Sequence, residues 1–224
     1  MSSFSSDLSS RDYTVNIGDY FGRGWSIFKQ QALLFVLFTV MLVAIQVVIA
    51  ILPFPLGARS EEGGVGGILN VAFNVISPVL SAGYYFVAFQ VARGRSVSFN
   101  DFFLGFNKFL PIFLTALVST LLTAIGFVFL LLPGIYLAIA YLFAQPLVID
   151  KSADFWQAME TSRKLITKKW FSFFALLLAI FVLNLGGALL LGIGLLVTLP
   201  LSVCIVAAAY EDIVGLNSVA DAEI

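Results

Sequence analysis

Histidine is absent from all 224 residues, and cysteine occurs once. Without His, the commonest metal ligand, the usual general base and the near-neutral pH switch are all missing. The single Cys204 lies in an apolar run, so one chain can build neither a disulfide framework nor a cysteine-rich metal site, and the thiol reads as a small core hydrophobe. Charge is also scarce: Asp, Glu, Lys and Arg make up 11% of the chain, against roughly a quarter in an average soluble domain. With 12 basic and 13 acidic residues the net charge is −1, which leaves no basic field to hold nucleic acid. No cofactor motif stands out, and no catalytic constellation survives these absences, so a non-enzymatic protein without a cofactor is expected. What abounds is apolar surface: 60% of residues are hydrophobic, with 23 Phe and 18 Gly. A water-soluble globule is excluded, and the composition fits a helical protein facing lipid.

A long polar stretch precedes the first apolar run, so no cleaved signal peptide is expected. Residues 1–13, Ser-rich and polar, are expected to form a disordered tail and 216–224 a short C-terminal tail around one membrane domain, 14–215. Ala32–Leu52 is an uncharged run of 21 residues, matching the ~20 that a helix needs to cross a bilayer. The breaker-rich LPFPLGARSEEGGVGG reads as a loop, and Gly67–Ala92 as a second span with Pro78 inside it. Phe109–Ile149 and Trp170–Tyr210 are each uncharged for 41 residues. One helix of that length would be about 60 Å long, twice the hydrocarbon thickness, so each run must fold back on itself. Breaker chemistry predicts turns at Pro133-Gly134 and at Gly192 to Gly194, with a kink at Pro200. Six spans result. They put eleven Lys and Arg residues on one side and Arg59 alone on the other. Because basic loops stay in the cytoplasm, both termini are expected there, with Gly57 to Gly67 outside.

Each hairpin of spans follows a segment of mixed polarity: Ile17 to Gln30, Ser98 to Lys108 and Ser152 to Lys169. In the third, Phe155, Met159, Ser162, Ile166 and Trp170 share one face of a helical wheel, while Gln157, Glu160, Thr161, Lys164 and Lys168 take the other. Ser152 suits the N-cap, and the segment predicts an amphipathic helix lying at headgroup level. The expected fold is therefore an all-α polytopic transmembrane helical bundle, six spans in three hairpins, each preceded by a cytoplasmic interfacial amphipathic helix. Trp25, Trp156 and Trp170 are its expected interfacial anchors.

Arg163, Lys164, Lys168 and Lys169 place four positive charges in seven residues. They are candidate contacts for anionic headgroups at ~1 kcal/mol each, although setting the topology is role enough for them. Asn70, Asn74, Ser77 and Ser81 follow one helix face and either line a polar path or, the favoured reading, bond neighbouring helices. Gly18 and Gly22 form a GxxxG pair, best read as ordinary packing. Glu211-Asp212 reads as the point where the chain leaves lipid. The spans carry no charged residue, which counts against ion-coupled transport.

Three stretches carry a resemblance: PVLSAGYYFVAFQVARGRSVSFNDFFLGF (78–106), LPGIYLAIAYLFAQPLVIDK (132–151) and FWQAMETSRKLITKKWF (155–171). Together they resemble a group of bacterial six-span membrane proteins that includes the YciC-like proteins and the membrane domain attached to some glycerophosphodiester phosphodiesterases. The likeness extends over residues 17 to 215, and its most specific part is a span ending PLVID, then an aromatic and A-M-E-x-S-R-K. It implies a bacterial inner-membrane protein and carries no catalytic residues. Hydrolase activity is not expected, since these residues include no counterpart of the soluble phosphodiesterase domain. The expected function is a membrane module that organises lipid or docks a protein at the cytoplasmic face. Membrane lipids, anionic ones among them, and a protein partner or second copy are its expected partners. The rival reading is a transporter or channel for an uncharged or amphiphilic solute, which a lined cavity between the hairpins would favour.

The topology has a direct test. Cysteines introduced at Ser60 and Ser152 in a Cys204→Ala background label from opposite sides with an impermeant thiol reagent; labelling of both from outside refutes the assignment.

Overall fold

The structure, a computed structural model, describes residues 12–51, 65–190 and 192–217. The expected external loop around Arg59 and Ser60, and most of both expected tails, lie outside the described residues. Among those described, nine α-helices and one 3₁₀ helix occur, and no strand. In chain order they are α1 (Ile17–Gln30), α2 (Ala32–Ile51), α3 (Val65–Ala92), the 3₁₀ helix Phe99–Lys108, α4 (Phe109–Phe129), α5 (Leu131–Ala140), α6 (Ala144–Lys151), α7 (Phe155–Thr167), α8 (Trp170–Leu189) and α9 (Leu195–Val214). Among the described residues, six stretches are long and apolar enough to cross a membrane: α2, Gly67–Ala92 of α3, Phe99–Phe129, Leu131–Lys151, α8 and α9. Large apolar side chains such as Val48, Leu121, Phe181 and Leu189 stand exposed on their outer faces, as lipid-facing helices require.

The turn between the third and fourth spans is not at Pro133-Gly134. It is Leu130, in extended conformation, and both expected breakers belong to the first turn of α5. Pro tolerates that position because its missing N–H has no intrahelical partner to lose, so Pro133 starts a helix rather than ending one. Gly134 instead lets the hairpin close: a Cβ on Gly126 would lie 3.0 Å from the Gly134 Cα. The other expected turn stands where sequence places it, at Gly192 to Gly194, with Gly192 at a φ of +77° that favours glycine.

The fourth span breaks at Tyr141 to Phe143, between α5 and α6. Pro146 has no N–H to give the Leu142 carbonyl, and its ring collides with that carbonyl in a continuous helix. The break leaves the Phe143 N–H and the Ala140 carbonyl without helical partners. The Ser162 hydroxyl serves both: it accepts from Phe143 N at 3.1 Å and donates to the Ala140 carbonyl at 2.7 Å. Ser162 is fully buried, and α7 packs on α4, α5 and α6. Met159 and Ile166 therefore face the spans. Two details of this segment depart from expectation. Thr161, expected on the polar face, is buried, and the N-cap is Asp154, which accepts from Trp156 N at 3.2 Å, while Ser152 holds a left-handed backbone after α6.

The other two amphipathic segments are also seated on the bundle through close backbone approach. A Cβ on Gly24 of α1 would lie 2.7 Å from the Ile205 Cα of α9. Neither Gly18 nor Gly22 of the GxxxG pair makes such an approach. A Cβ on Gly83 of α3 would overlap the Phe102 carbonyl of the 3₁₀ helix, and one on Gly105 would lie 2.6 Å from the Val79 carbonyl. Around that contact Phe35, Phe38, Tyr84 and Phe102 form an aromatic cluster, with Phe38 stacked on Phe102 at 4.3 Å between ring centres. The Thr39 and Tyr84 hydroxyls share a hydrogen bond of 2.8 Å across α2 and α3.

These approaches reverse the ordinary sign of a glycine substitution. Gly22→Ala, with nothing within 4 Å, raises stability by up to about 1 kcal/mol through helix propensity. Gly83→Ala lowers it by about 1–3 kcal/mol by overpacking. Thermal unfolding in detergent, followed by circular dichroism, reads both; a stabilised Gly83→Ala refutes the contact.

Candidate functional site

One end of the bundle gathers nearly all the described charge, because α3, α6 and α9 end there while α4 and α8 begin there. Asp150, on α6, is its centre, and its side chain is fully buried. Arg93, just beyond α3, pairs with Oδ1, and Lys151 Nζ lies 3.1 Å from Oδ2. The Tyr210 hydroxyl donates to Oδ2 and the Asn217 N–H to Oδ1, each at 3.2 Å. Asn217 Nδ2 also donates to the Asp150 carbonyl at 2.8 Å, so the segment after α9 is tied to α6. Lys108 Nζ donates to the Ile149 carbonyl at 2.9 Å and to Ser152 Oγ at 2.8 Å, placing a cation at the negative end of α6. A second group seats α1: Arg23 lies 2.7 Å from Glu211 and 3.8 Å from Asp212, to which the Tyr20 hydroxyl donates at 2.9 Å. Glu211 and Asp212 thus fasten a helix as well as closing a span. The arrangement is a clasp of buried and half-buried ion pairs.

The four cations of the α7 segment are not one open patch. Arg163 donates from Nε and Nη2 to the two oxygens of Glu160, at 2.9 and 2.8 Å, and Lys164 lies 3.3 Å from the same carboxylate. The Arg163 hydrogen bonds hold the Glu160 carboxyl below its usual range. Lys169 lies 3.9 Å from Asp12, and Lys168 is exposed. Trp25 and Trp156 are exposed on α1 and α7, and Trp170 opens α8, stacked on Phe174 at 5.5 Å. Asn74 Nδ2 donates to the Asn70 carbonyl and Ser77 Oγ to that of Asn74, both within α3. Polar bonds between spans include the Thr39–Tyr84 pair and Asn184 Nδ2 to Ser202 Oγ at 2.7 Å.

Ser81, last of the polar face, does open on a cavity. A cleft of about 760 Å³ lies between α2, α3 and α9, in the half of the bundle away from the charged end. Its walls include Leu42, Val47, Phe73 and Leu199, with polar atoms from Gln46, Ser81, Tyr85 and Gln145. On α2 the lining runs from Thr39 to Ala50, about 17 Å at 1.5 Å per residue. Of its lining, Tyr84 packs against the fully buried Phe35, Phe38 and Phe102. A mostly apolar cleft of this size with a few polar groups has the make-up of a small-ligand site. Among the described residues no group of three Cys, Asp or Glu side chains converges as a metal site would require. No family model, curated protein or solved structure matches the chain.

Neutralising the clasp exposes its worth. Asp150→Asn leaves the Arg93 guanidinium, mostly buried, without its counter-charge, and costs about 3 kcal/mol of stability. The double variant Arg93→Leu/Asp150→Asn recovers part of the loss. Denaturant unfolding in detergent measures the cycle; additive losses refute the coupling.

Proposed function

We propose that this chain is a non-enzymatic membrane module that holds one amphiphilic lipid tail between its spans. The observation that carries the reading is the 760 Å³ cleft: apolar walls suit an acyl chain, and the amides of Gln46 and Gln145 suit an ester or glycerol oxygen. The aromatic packing of Tyr84, a lining residue, on the fully buried Phe38 and Phe102 supports holding over conduction. In this reading the charged end lies in the cytoplasm of a bacterial cell, at the inner membrane. Arg163, Lys164, Lys168 and Lys169, with Trp25, Trp156 and Trp170, then sit at headgroup level, where a protein partner or second copy would dock. The one-sided charge supports that orientation. The same cleft supports a second reading, transport of an uncharged or amphiphilic solute, which requires the aromatic packing to open.

Filling the cleft separates the two. Val47→Trp and Ala50→Trp place bulk in it, and lipid retained per protein after delipidation, measured by mass spectrometry, falls to the level of surface-bound lipid. Unchanged retention refutes a held lipid. Movement of a fluorescent lipid between leaflets of reconstituted vesicles, abolished by the same variants, establishes the transport reading.

A further inference from the structure

A second cavity, of about 470 Å³, adjoins the Asp150 clasp and differs from the cleft in being polar. Its lining includes Gln90, Arg93, Arg95 and Lys108, from the end of α3 and the end of the 3₁₀ helix, with Asp101 and Asp150. The acidic side chains are already taken. Asp150 is balanced by Arg93 and Lys151 together, and Asp101 accepts from the Ser98 N–H at 2.7 Å. The donors are not. Among the described residues, Arg95 has no side-chain hydrogen bond or ion pair. Arg93 Nε is buried with no hydrogen-bond partner. The bonds recorded for the Lys108 ammonium run to carbonyls and a hydroxyl, with no carboxylate among them. Three lining cations, Arg93, Arg95 and Lys108, face two lining carboxylates.

Arg93, whose carboxylate partner is shared with Lys151, puts one cation in the wall. Arg95 beside it supplies a planar fork suited to a tetrahedral oxyanion, and Lys108 a point charge. We infer that this pocket binds a phosphate group, with Arg95 as the principal contact, the Gln90 amide as a further donor, and Arg93 and Lys108 supplying field. Such a group comes either from an anionic phospholipid headgroup or from a free phosphate. The position favours the former, because the pocket sits where three spans meet the membrane surface. This site does not depend on the cleft: it shares no lining residue with it, so variants of one leave the other intact.

The test uses the whole protein in phosphatidylcholine nanodiscs, with Arg95 modified by phenylglyoxal and the modified peptide quantified by mass spectrometry. Replacing part of the phosphatidylcholine by phosphatidylglycerol slows modification of Arg95 relative to Arg23, which is the result expected of a lipid headgroup. Slowing by added inorganic phosphate alone assigns the site to a soluble phosphate and supports the same chemistry. Arg95→Gln, which removes no existing contact, lowers phosphatidylglycerol retention about tenfold, the loss of one charge-assisted hydrogen bond, and Arg95→Lys restores part of it. The Trp variants of the cleft leave Arg95 protection unchanged. Arg95 modified at one rate in all three conditions overturns the inference and leaves the pocket as part of the clasp alone.

Discussion

Inside a bilayer a backbone amide that loses its helical partner finds no water to replace it, and the break in the fourth span turns on that fact. Pro146 forces the break, and the Ser162 hydroxyl repairs it from a different helix by accepting from Phe143 and donating to Ala140. One hydroxyl thereby fixes the depth and the face at which α7 docks. With α7 fixed, α6 is aimed so that Asp150 reaches Arg93, and the 3₁₀ helix is held within reach of α6 by Lys108. The amphipathic segments are consequently part of the folded body. Their apolar faces are spent on spans, and their polar faces carry charge at one end of it.

That division assigns different physics to the two ends. At the charged end, stability depends on carboxylates buried against cations, a costly arrangement to break because each partner depends on the other for its burial. At the far end, packing depends on glycine pairs at the hairpin turns, Gly126 with Gly134 and Gly187 with Gly194, which bring helix backbones close without charge. The cleft lies on the weakly bound side, where α2 exposes Val43 and Val47. The open space thus lies in the half of the bundle that holds few ion pairs.

The sequence made the spans, their number and the one-sided charge legible, because hydropathy and charge are local and additive. It also placed the Gly192 turn, since a glycine between two long apolar runs has few other uses. The Pro133 turn was displaced by three residues because proline both ends and begins helices, and only the geometry of the following turn separates the cases. Pro146 lay within an apolar run and gave no polar trace of the break. Ser162 did leave a mark, as the one hydroxyl on the apolar face of α7, yet the carbonyl it bonds is 22 residues away. The Asp150 clasp and the Arg95 pocket were out of reach for the same reason: Arg93 and Asp150 stand 57 residues apart, and no periodicity links them. The α7 cations, conspicuous as a run, were in part already occupied by Glu160, a neighbour on their own helix.

Ribosomal synthesis delivers the chain from its N-terminus, so the Phe143 amide and the Ala140 carbonyl emerge well before Ser162. Until that residue arrives, the fourth span has an unfilled donor and acceptor partway along it, and its position in the bilayer is provisional. Completion of the second hairpin is thereby made contingent on the opening of the third. A chain truncated before Ser162 would keep four apolar stretches but lack the hydroxyl that serves both groups.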